Sequence, residues 1–576
     1  MKYRWTIAPT QPALASFLAR ELNISPLLAQ CLLNRGLSEP DPIRLFLEPR
    51  LKNLSDPFLI PGMVAAVDRL VMALTRSEPV VLFGDYDVDG VTSSALLHEF
   101  LGSLGWKVEC YLPHRMEEGY GLTQAGVENC LARHACGLLV AVDCGSTAGA
   151  TIDWLHSQAI DVIVLDHHQV SRPAPAAVAL VNPQVSDPAG PGPQFRELCS
   201  VGLAFKLAHA IVKRGRQLGL AKFAAADVRP FLDLVALGTI ADLVPLNGEN
   251  RILISAGLER LQDTQRPGLV ALKNVASISG RVGGYEVGFQ LAPRLNAAGR
   301  LETAEEALRL LQAPDLSAAE PIALRLDARN RERQTIEKGI VEEILGFVRA
   351  RFEREQDWVI VEGSPAWHVG VVGIVASRVL QEFHRPTIVF GGVGEGDEWR
   401  GSGRSIDGFD LAAALRQCDD LLVRHGGHAM AAGLSVRPDQ LDAFRARLNE
   451  LARRALKPEQ LHPSMNIDAI VPLGDLSLER VRELSRLEQT GKGNPPVRLA
   501  IHGVTHGRPL QRMGPDRKHA KLWITDGKAT REAVMWRVSD GALPVGKFDL
   551  VVEPQLNEYN GTTAVQLRVL DWRRAS

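Results

Sequence analysis

Apolar positions change period several times along the chain, and each change marks a different kind of element. Residues 1–78 predict mostly helix, broken near Pro26, Pro40, Pro57 and Pro61. From Pro79, fully apolar runs alternate with helical ones. Val80-Val81-Leu82-Phe83 is followed by an acidic loop and a helix over 92–104, and 107–111, 137–142 and 161–165 are further strands, the last two ending at Asp143 and Asp166. Buried strands alternating with helices predict a parallel sheet covered on both faces. Residues 171–196 are rich in Pro, Gly and Ser and predict a loop; helix resumes from about Val201 to Gln262. Over 320–352, Ile336, Ile340, Ile344, Val348 and Phe352 keep i, i+4 spacing among heavily charged positions, which predicts a long, solvated helix joining two domains. Trp358-Val359-Ile360-Val361 opens a second α/β unit reaching about Leu456, and residues 457–464 read as a linker. The remainder is β, over 497–504, 520–525, 532–538, 548–553 and 564–570, with Asn560-Gly561 as a two-residue hairpin signal. Five short strands in so short a stretch predict a small barrel of the OB type.

The chain has 576 residues, enough for three or four domains at about 150 residues each. Hydrophobic residues make up 45% and charged residues 23%, ordinary values that exclude a mainly disordered chain. No run approaches the ~18 apolar residues of a membrane span, and Met1-Lys2-Tyr3-Arg4-Trp5 lacks the apolar stretch of a signal peptide. The seven Cys contain no C-x-x-C pair, which argues against a disulfide framework or zinc ribbon and fits a reducing cytoplasm. A net charge of −2 gives no global basic field, so a nucleic-acid partner requires local patches. One such patch is the barrel region, where residues 497–576 hold 13 Lys and Arg against 8 Asp and Glu. Arg508, Arg512, Arg517, Lys518 and Lys521 cluster about one loop, which is expected to line a groove. Trp523, Trp536 and Tyr559 are candidate stacking platforms, although each Trp taken singly is expected in the core.

The acidic loop reads Gly84-Asp85-Tyr86-Asp87-Val88-Asp89-Gly90. Three carboxylates so close together repel unless a cation neutralises them. A calcium hand is excluded, because position 12 counted from Asp85 is Leu96 rather than Glu and the loop follows a buried strand. Asp143 and Asp166-His167-His168 end two other strands, so a doubly wound sheet brings all these groups to one crevice at its carboxyl edge. Asp242 is a further acid in an otherwise apolar helical stretch, costly to bury unless paired or metal-bound. Carboxylates with an imidazole suit Mn²⁺ or Mg²⁺, and two such ions ~3.5–4 Å apart are the usual device for hydrolysing phosphoesters.

The acidic loop, Val142-Asp143-Cys144-Gly145, Asp166-His167-His168 and Leu237-Gly238-Thr239-Ile240-Ala241-Asp242 resemble the successive motifs of the DHH phosphoesterases, most closely the RecJ-type single-strand-specific 5′→3′ exonucleases. The stretches Ala292-Pro293-Arg294-Leu295-Asn296-Ala297-Ala298-Gly299-Arg300, Trp367-His368-Val369-Gly370-Val371-Val372-Gly373-Ile374, Gly401-Ser402-Gly403-Arg404-Ser405 and Gly426-Gly427-His428 resemble that group's hallmark and its DHHA1-type accessory domain. One departure is Cys144, where Asn is the more usual residue.

The apolar pattern gives a helical segment at 1–78; the resemblance, running from about residue 40 to the C-terminus, implies a DHH catalytic domain at 79–315, a connecting helix at 316–356, an accessory domain at 357–456 and an OB-fold at 465–576. It implies that Asp85, Asp87 and Asp143 hold one divalent ion, and that Asp89, Asp143, His167 and Asp242 hold a second. Asp166 would orient a histidine and His168 would face the scissile phosphate. Ser402, Arg404 and Arg294 would bind the 5′-terminal phosphate, with Asn296, Arg300 and His428 in the same substrate-binding set. The implied activity is release of 5′-mononucleotides from single-stranded DNA in repair and recombination, by a cytoplasmic monomer working with single-strand-binding protein and a RecQ-type helicase. Two other readings remain: a single-strand-binding scaffold, which predicts degraded ligands, and an enzyme for small phosphoesters, which predicts a shorter chain without the barrel.

Overall fold

Val80 and Leu82 face one hydrophobic core while Val81 and Phe83 face another, so the first apolar strand is buried on both sides. The computed structural model describes residues 2–114, 117–119, 121–186, 192–353, 355–392, 398–559 and 561–575. Strands β1 (Pro79–Gly84), β2 (Lys107–Tyr111), β3 (Leu138–Val142), β4 (Asp161–Leu165) and β5 (Ala179–Val181) form an all-parallel sheet in the order β2-β1-β3-β4-β5. Strand β5 falls in the stretch expected to be loop. It has three residues, paired with β4, and is too short to show a period. Helices α1 (Val88–Leu104), α2 (Ser200–Gln217) and α3 (Leu232–Ala241) share one core beneath the sheet. The strand order reverses between β1 and β3, which opens a crevice at their carboxyl ends.

Helices α4 (Ala292–Leu301) and α5 (Leu316–Arg351) lead out of this domain. Ile340, Ile344 and Val348 of α5 are buried against the second α/β unit, as their spacing predicts. The expectation that the charges of α5 are solvated fails over one stripe: Asp327, Asn330, Arg333 and Glu337 are all buried. Each has a partner there, Asp327 bridging Arg294 and Arg331, Glu337 bridging Arg333 and Arg378, and Asn330 accepting from Arg333. Periodicity marks only apolar faces, so a buried polar stripe is invisible to it.

The second unit is a mixed sheet of β6 (Ile360–His368), β7 (Thr387–Gly392), β8 (Trp399–Arg404), β9 (Arg424–Gly427) and β10 (Ala431–Val436), in the order β9-β10-β8-β7-β6 with only β6 and β7 parallel. Helix α6 (Val372–Phe383) packs against it.

Strands β11 (Leu499–Met513), β12 (His519–Thr525), β13 (Thr530–Met535), β14 (Phe548–Tyr559) and β15 (Thr562–Arg574) form a five-stranded barrel closed by β11 and β14, with β13 and β15 parallel. Tyr559 pairs with Thr562 across the two-residue connection and Gly561 has φ 74°; Asn560 and the Tyr559 side chain lie outside the described residues. The basic stretch is less a loop than a β-ribbon, since Arg508 and Arg512 lie on β11 and Lys521 on β12. Neither Trp523 nor Trp536 is a core residue. Alternation along β12 buries Leu522 and Ile524 and turns Trp523 outward, where Lys521 lies over its ring; Trp536 is 52% exposed. The helices Pro12–Leu22, Pro26–Leu33 and Pro40–Leu47 share a core with this barrel, and Arg4–Ile7 pairs with Ser464–Ile467. Met63–Thr75 instead packs on the catalytic sheet. Pro26 and Pro40 stand in first helical turns, where a missing N–H costs nothing, and start helices rather than end them.

Candidate active site

The turns that leave β1, β3 and β4 each deliver acid to the crevice. Asp87 caps α1, its Oδ1 accepting from the N–H of Asp89 (2.9 Å) and Gly90 (3.1 Å). A Cβ at position 90 would lie 2.4 Å from the Asp85 carbonyl oxygen, so only glycine lets the helix start this close to the loop. Asp89, now in the first turn of α1, reaches the start of α2 and accepts from the N–H of Ser200 (2.7 Å) and Val201 (2.8 Å). Asp143 takes a left-handed backbone, φ 63°, unusual for a residue other than glycine and a strain of the kind held at functional sites. Its Oδ1 accepts from the Ser200 hydroxyl at 2.8 Å. Cys144 turns away from the acids into the apolar face of the sheet, its Sγ 3.8 Å from the Phe83 carbonyl oxygen.

Ligand atoms of Asp85, Asp87 and Asp143 lie within 4.8 Å of one another, and so do those of Asp89, His167 and Asp242. The two groups meet at Asp143, whose Oδ1 is 3.5 Å from His167 Nε2. His167 Nε2 is also 3.5 Å from Asp242 Oδ2, and both are buried atoms without a hydrogen-bond partner among the described residues. Burial and mutual repulsion raise the acids' affinity for protons: Asp89 to about 7, Asp242 to about 9, and Asp143 well above the carboxylate range. Burial and the neighbouring His168 lower His167 to about 4, so its imidazole is neutral and can donate a lone pair. Repelling carboxylates, a neutral buried imidazole and orphaned ligand atoms are the donor set a pair of hard divalent cations would satisfy.

Asp166 is held differently. Its Oδ1 accepts from the N–H of His167 (2.8 Å) and His168 (3.1 Å) and lies 2.7 Å from His168 Nδ1, while Oδ2 accepts from Ser146 N–H (3.1 Å). Burial opposes its charge, but the His168 bond and these donors outweigh it and hold the carboxyl far below the usual range. Burial likewise opposes the His168 charge, yet the bond to Asp166 prevails and raises the imidazole to about 9. His168 also belongs with Asp143 and His167 in a third close group, with its Nδ1 engaged by Asp166.

A cleft of about 330 Å³ opens over this site, lined by His167, His168 and Asp242 of the catalytic domain, His428 of the accessory unit and Lys492 from the segment before the barrel. Ser402 and Arg404 are together on β8, with Arg404 Nη1 donating to Ser402 Oγ at 2.8 Å. Both face the first turn of α6, where a Cβ on Gly373 would lie 3.0 Å from Ser402 Oγ and 3.1 Å from Arg404 Nη2. A helix start beside a guanidinium and a hydroxyl is suited to an anion. Arg300 Nη1 donates to the Gly370 carbonyl oxygen (3.3 Å) where the two units touch. Arg294, expected at the 5′-phosphate, is engaged elsewhere: it pairs with Asp327 (2.9 Å) and donates to the Gln290 carbonyl oxygen (2.6 Å), bracing α4 against α5. Asn296, expected on the substrate, accepts from Val88 N–H (3.2 Å) and so steadies the acidic loop. Ser200 and Lys492 escaped the sequence reading. Ser200 is the first residue of α2, following the N-cap Cys199, and its hydroxyl serves Asp143 rather than the helix end; nothing local marks either residue.

Family models match in chain order: the DHH family N-terminal domain over 79–239, the DHHA1 domain over 356–454 and the RecJ OB domain over 467–571. The single-stranded-DNA-specific exonuclease RecJ of Bacillus subtilis (strain 168) is 35% identical over 574 residues, 99% of this chain and 71% of the relative. Its counterpart in Escherichia coli (strain K12) is 34% identical over 94% of this chain and 95% of that one. This chain belongs to the RecJ family. The crystal structure of RecJ in complex with Mn²⁺ from Thermus thermophilus matches with a TM-score of 0.84 at 30% identity, over 100% of this chain and 80% of that chain. The RecJ-type architecture accounts for the cleft, since catalytic, accessory and barrel-proximal residues must converge to line it.

Proposed function

We propose that this chain is a metal-dependent exonuclease that removes 5′-mononucleotides from single-stranded DNA, working from the 5′ end, in DNA repair and recombination. The observation that carries the reading is the meeting of two ligand groups at Asp143. Asp85, Asp87 and Asp143 would hold one Mn²⁺ or Mg²⁺ ion, and Asp89, His167 and Asp242 the other, with Asp143 shared. When bound, such a pair supplies Lewis-acid charge and a water of lowered pKa. Water oxygen adds to phosphorus, the P–O3′ bond breaks, and the leaving 3′ oxygen takes a proton. His168 is suited to stabilise or protonate that oxygen through Nε2, because Asp166 occupies Nδ1 and keeps the ring charged. Ser402, Arg404 and the start of α6 would hold the terminal 5′-phosphate, and His428 and Lys492 would contact the strand across the cleft.

The retained set of acids and His167 argues against a scaffold that has lost its chemistry, and the barrel argues against a dedicated small-phosphoester enzyme. One chain provides every group in the site, so a monomer suffices. A site that needs unpaired strand fits supply by a strand-separating helicase; we propose a RecQ-type helicase and single-strand-binding protein as the partners, in the cytoplasm. Among the described residues no single helix is long and apolar enough to cross a membrane.

Mn²⁺ titration by calorimetry tests the ligand assignment apart from activity. The reading expects two ions on the native chain, one on Asp242→Asn, and loss of high-affinity binding of both on Asp143→Asn. Two ions bound to Asp143→Asn with native affinity would overturn it.

A further inference from the structure

Beside the cleft, a larger groove of about 1000 Å³ runs between the catalytic domain and the barrel, and Val244 and Lys492 line both. Its catalytic-domain wall carries Tyr285, Phe289 and Leu243, which are 63, 72 and 68% exposed. The two rings stack on each other, centroids 5.1 Å apart and planes 29° from parallel. An exposed apolar cluster of this kind inside a groove marks a binding surface. The backbone that raises it is also unusual. Val287–Leu291 forms a π-helical turn directly before α4, a geometry that is rare and concentrated at functional sites.

We infer that Tyr285 and Phe289 form a stacking platform for the unpaired bases of the strand on the 3′ side of the bond being cut. This rests on the reading given under Proposed function. The occupant follows from continuity, since a strand held at the metals and leaving past Lys492 enters this groove. Every base has a π-face, so a stacked aromatic pair accepts any sequence. Lys492, at the end shared with the cleft, provides a cation for a phosphate. On the walls Arg281 pairs with Glu488 and Arg568 with Glu553, both at 3.2 Å, so these carboxylates do not face the strand as bare charges. Bases inside a duplex are stacked on their own neighbours and cannot lie on the platform, so it contributes to single-strand selectivity as well as affinity.

The test uses 5′-phosphorylated oligonucleotides in which a window of three abasic positions is moved along the strand. With the native chain, one window position lowers kcat/KM roughly ten- to a hundredfold and the others much less. Phe289→Ala, a surface substitution whose folding is checked by its melting temperature and Mn²⁺ binding, lowers kcat/KM on the intact strand by a similar factor. On the strand with that abasic window it adds little, because the same contact is already gone. Equal losses at every window, or a Phe289→Ala loss that multiplies in full with the abasic loss, overturns the platform while leaving the exonuclease reading in place. Native chain that releases no mononucleotide from the intact strand overturns both.

Discussion

Replacing Asp166 by Asn asks whether that carboxylate serves to keep a proton on His168. Asn keeps the shape and one acceptor oxygen for the His167 and His168 N–H groups, now 2.8 and 3.1 Å from Oδ1, but loses the charge facing His168 Nδ1 at 2.7 Å. His168 stands at about 9 against an ordinary 6.5, which corresponds to roughly 3 kcal/mol at 1.36 kcal/mol per pH unit. Two reductions apply. The His168 side chain is 39% exposed, so solvent screens part of the attraction. Asp242 and Asp85 also raise it, and bound cations cancel their share. About 1.5 kcal/mol is then left to Asp166, or about one pH unit. In saturating Mg²⁺, the alkaline limb of log kcat against pH therefore moves down by about one unit, and kcat at pH 8.5 falls roughly tenfold. Affinity for a phosphorothioate strand changes far less, because the proton acts in the transition state. An alkaline limb at the same pH in both proteins refutes the argument.

Arg404→Ala lowers the preference for 5′-phosphorylated over 5′-hydroxyl strands by about ten- to a hundredfold in kcat/KM, the worth of a charge-assisted hydrogen bond; equal slowing of both substrates places Arg404 outside the end-reading pocket. With metals chelated, stability falls as pH rises from 6.5 to 9. In that window the folded chain keeps protons on His168 and Asp242, raised from 6.5 and 3.8 to about 9, that the unfolded chain has released. The slope is on the order of 1 kcal/mol per pH unit after screening, and Mn²⁺ flattens it, as melting temperatures in EDTA and in Mn²⁺ will show. Deleting 465–576 alone uncovers the apolar faces of Pro12–Leu22 and Pro26–Leu33 and gives aggregating protein, whereas deleting 1–50 as well restores a soluble, Mn²⁺-binding chain; sedimentation of the two truncations distinguishes them.

Much of this molecule is legible in its sequence because fully buried parallel strands are unbroken apolar runs, and their ends fix where the acids go. Asp85, Asp87, Asp89, Asp143 and His167 could be brought to one crevice on topology alone, whereas Asp242, at the end of a helix, joins them only through the family resemblance; the six are found in two groups within 4.8 Å. Contacts between distant segments were not legible. Nothing local to Arg4–Ile7 shows that it pairs with Ser464–Ile467, nor that the first helices complete the core of the barrel. Arg294 and Asn296 lie in a family motif, but that Arg294 braces one helix against the next depends on Asp327, 33 positions further along the chain. Trp523 is turned outward by one residue of register, information that a composition of aromatic and basic residues does not hold.

The most direct test of the central claim is the order in which products leave an end-labelled strand. A 5′-phosphorylated single strand carrying the label in its terminal phosphate is incubated with the chain and Mn²⁺, beside the same strand labelled at its 3′ end and a blunt duplex. The account predicts labelled mononucleotide as the first product of the 5′-labelled strand, a descending ladder from the 3′-labelled strand, no attack on the duplex, and no reaction in EDTA or with Asp143→Asn. A 5′ label that persists on ever-shorter fragments, or cuts at internal positions, would contradict it.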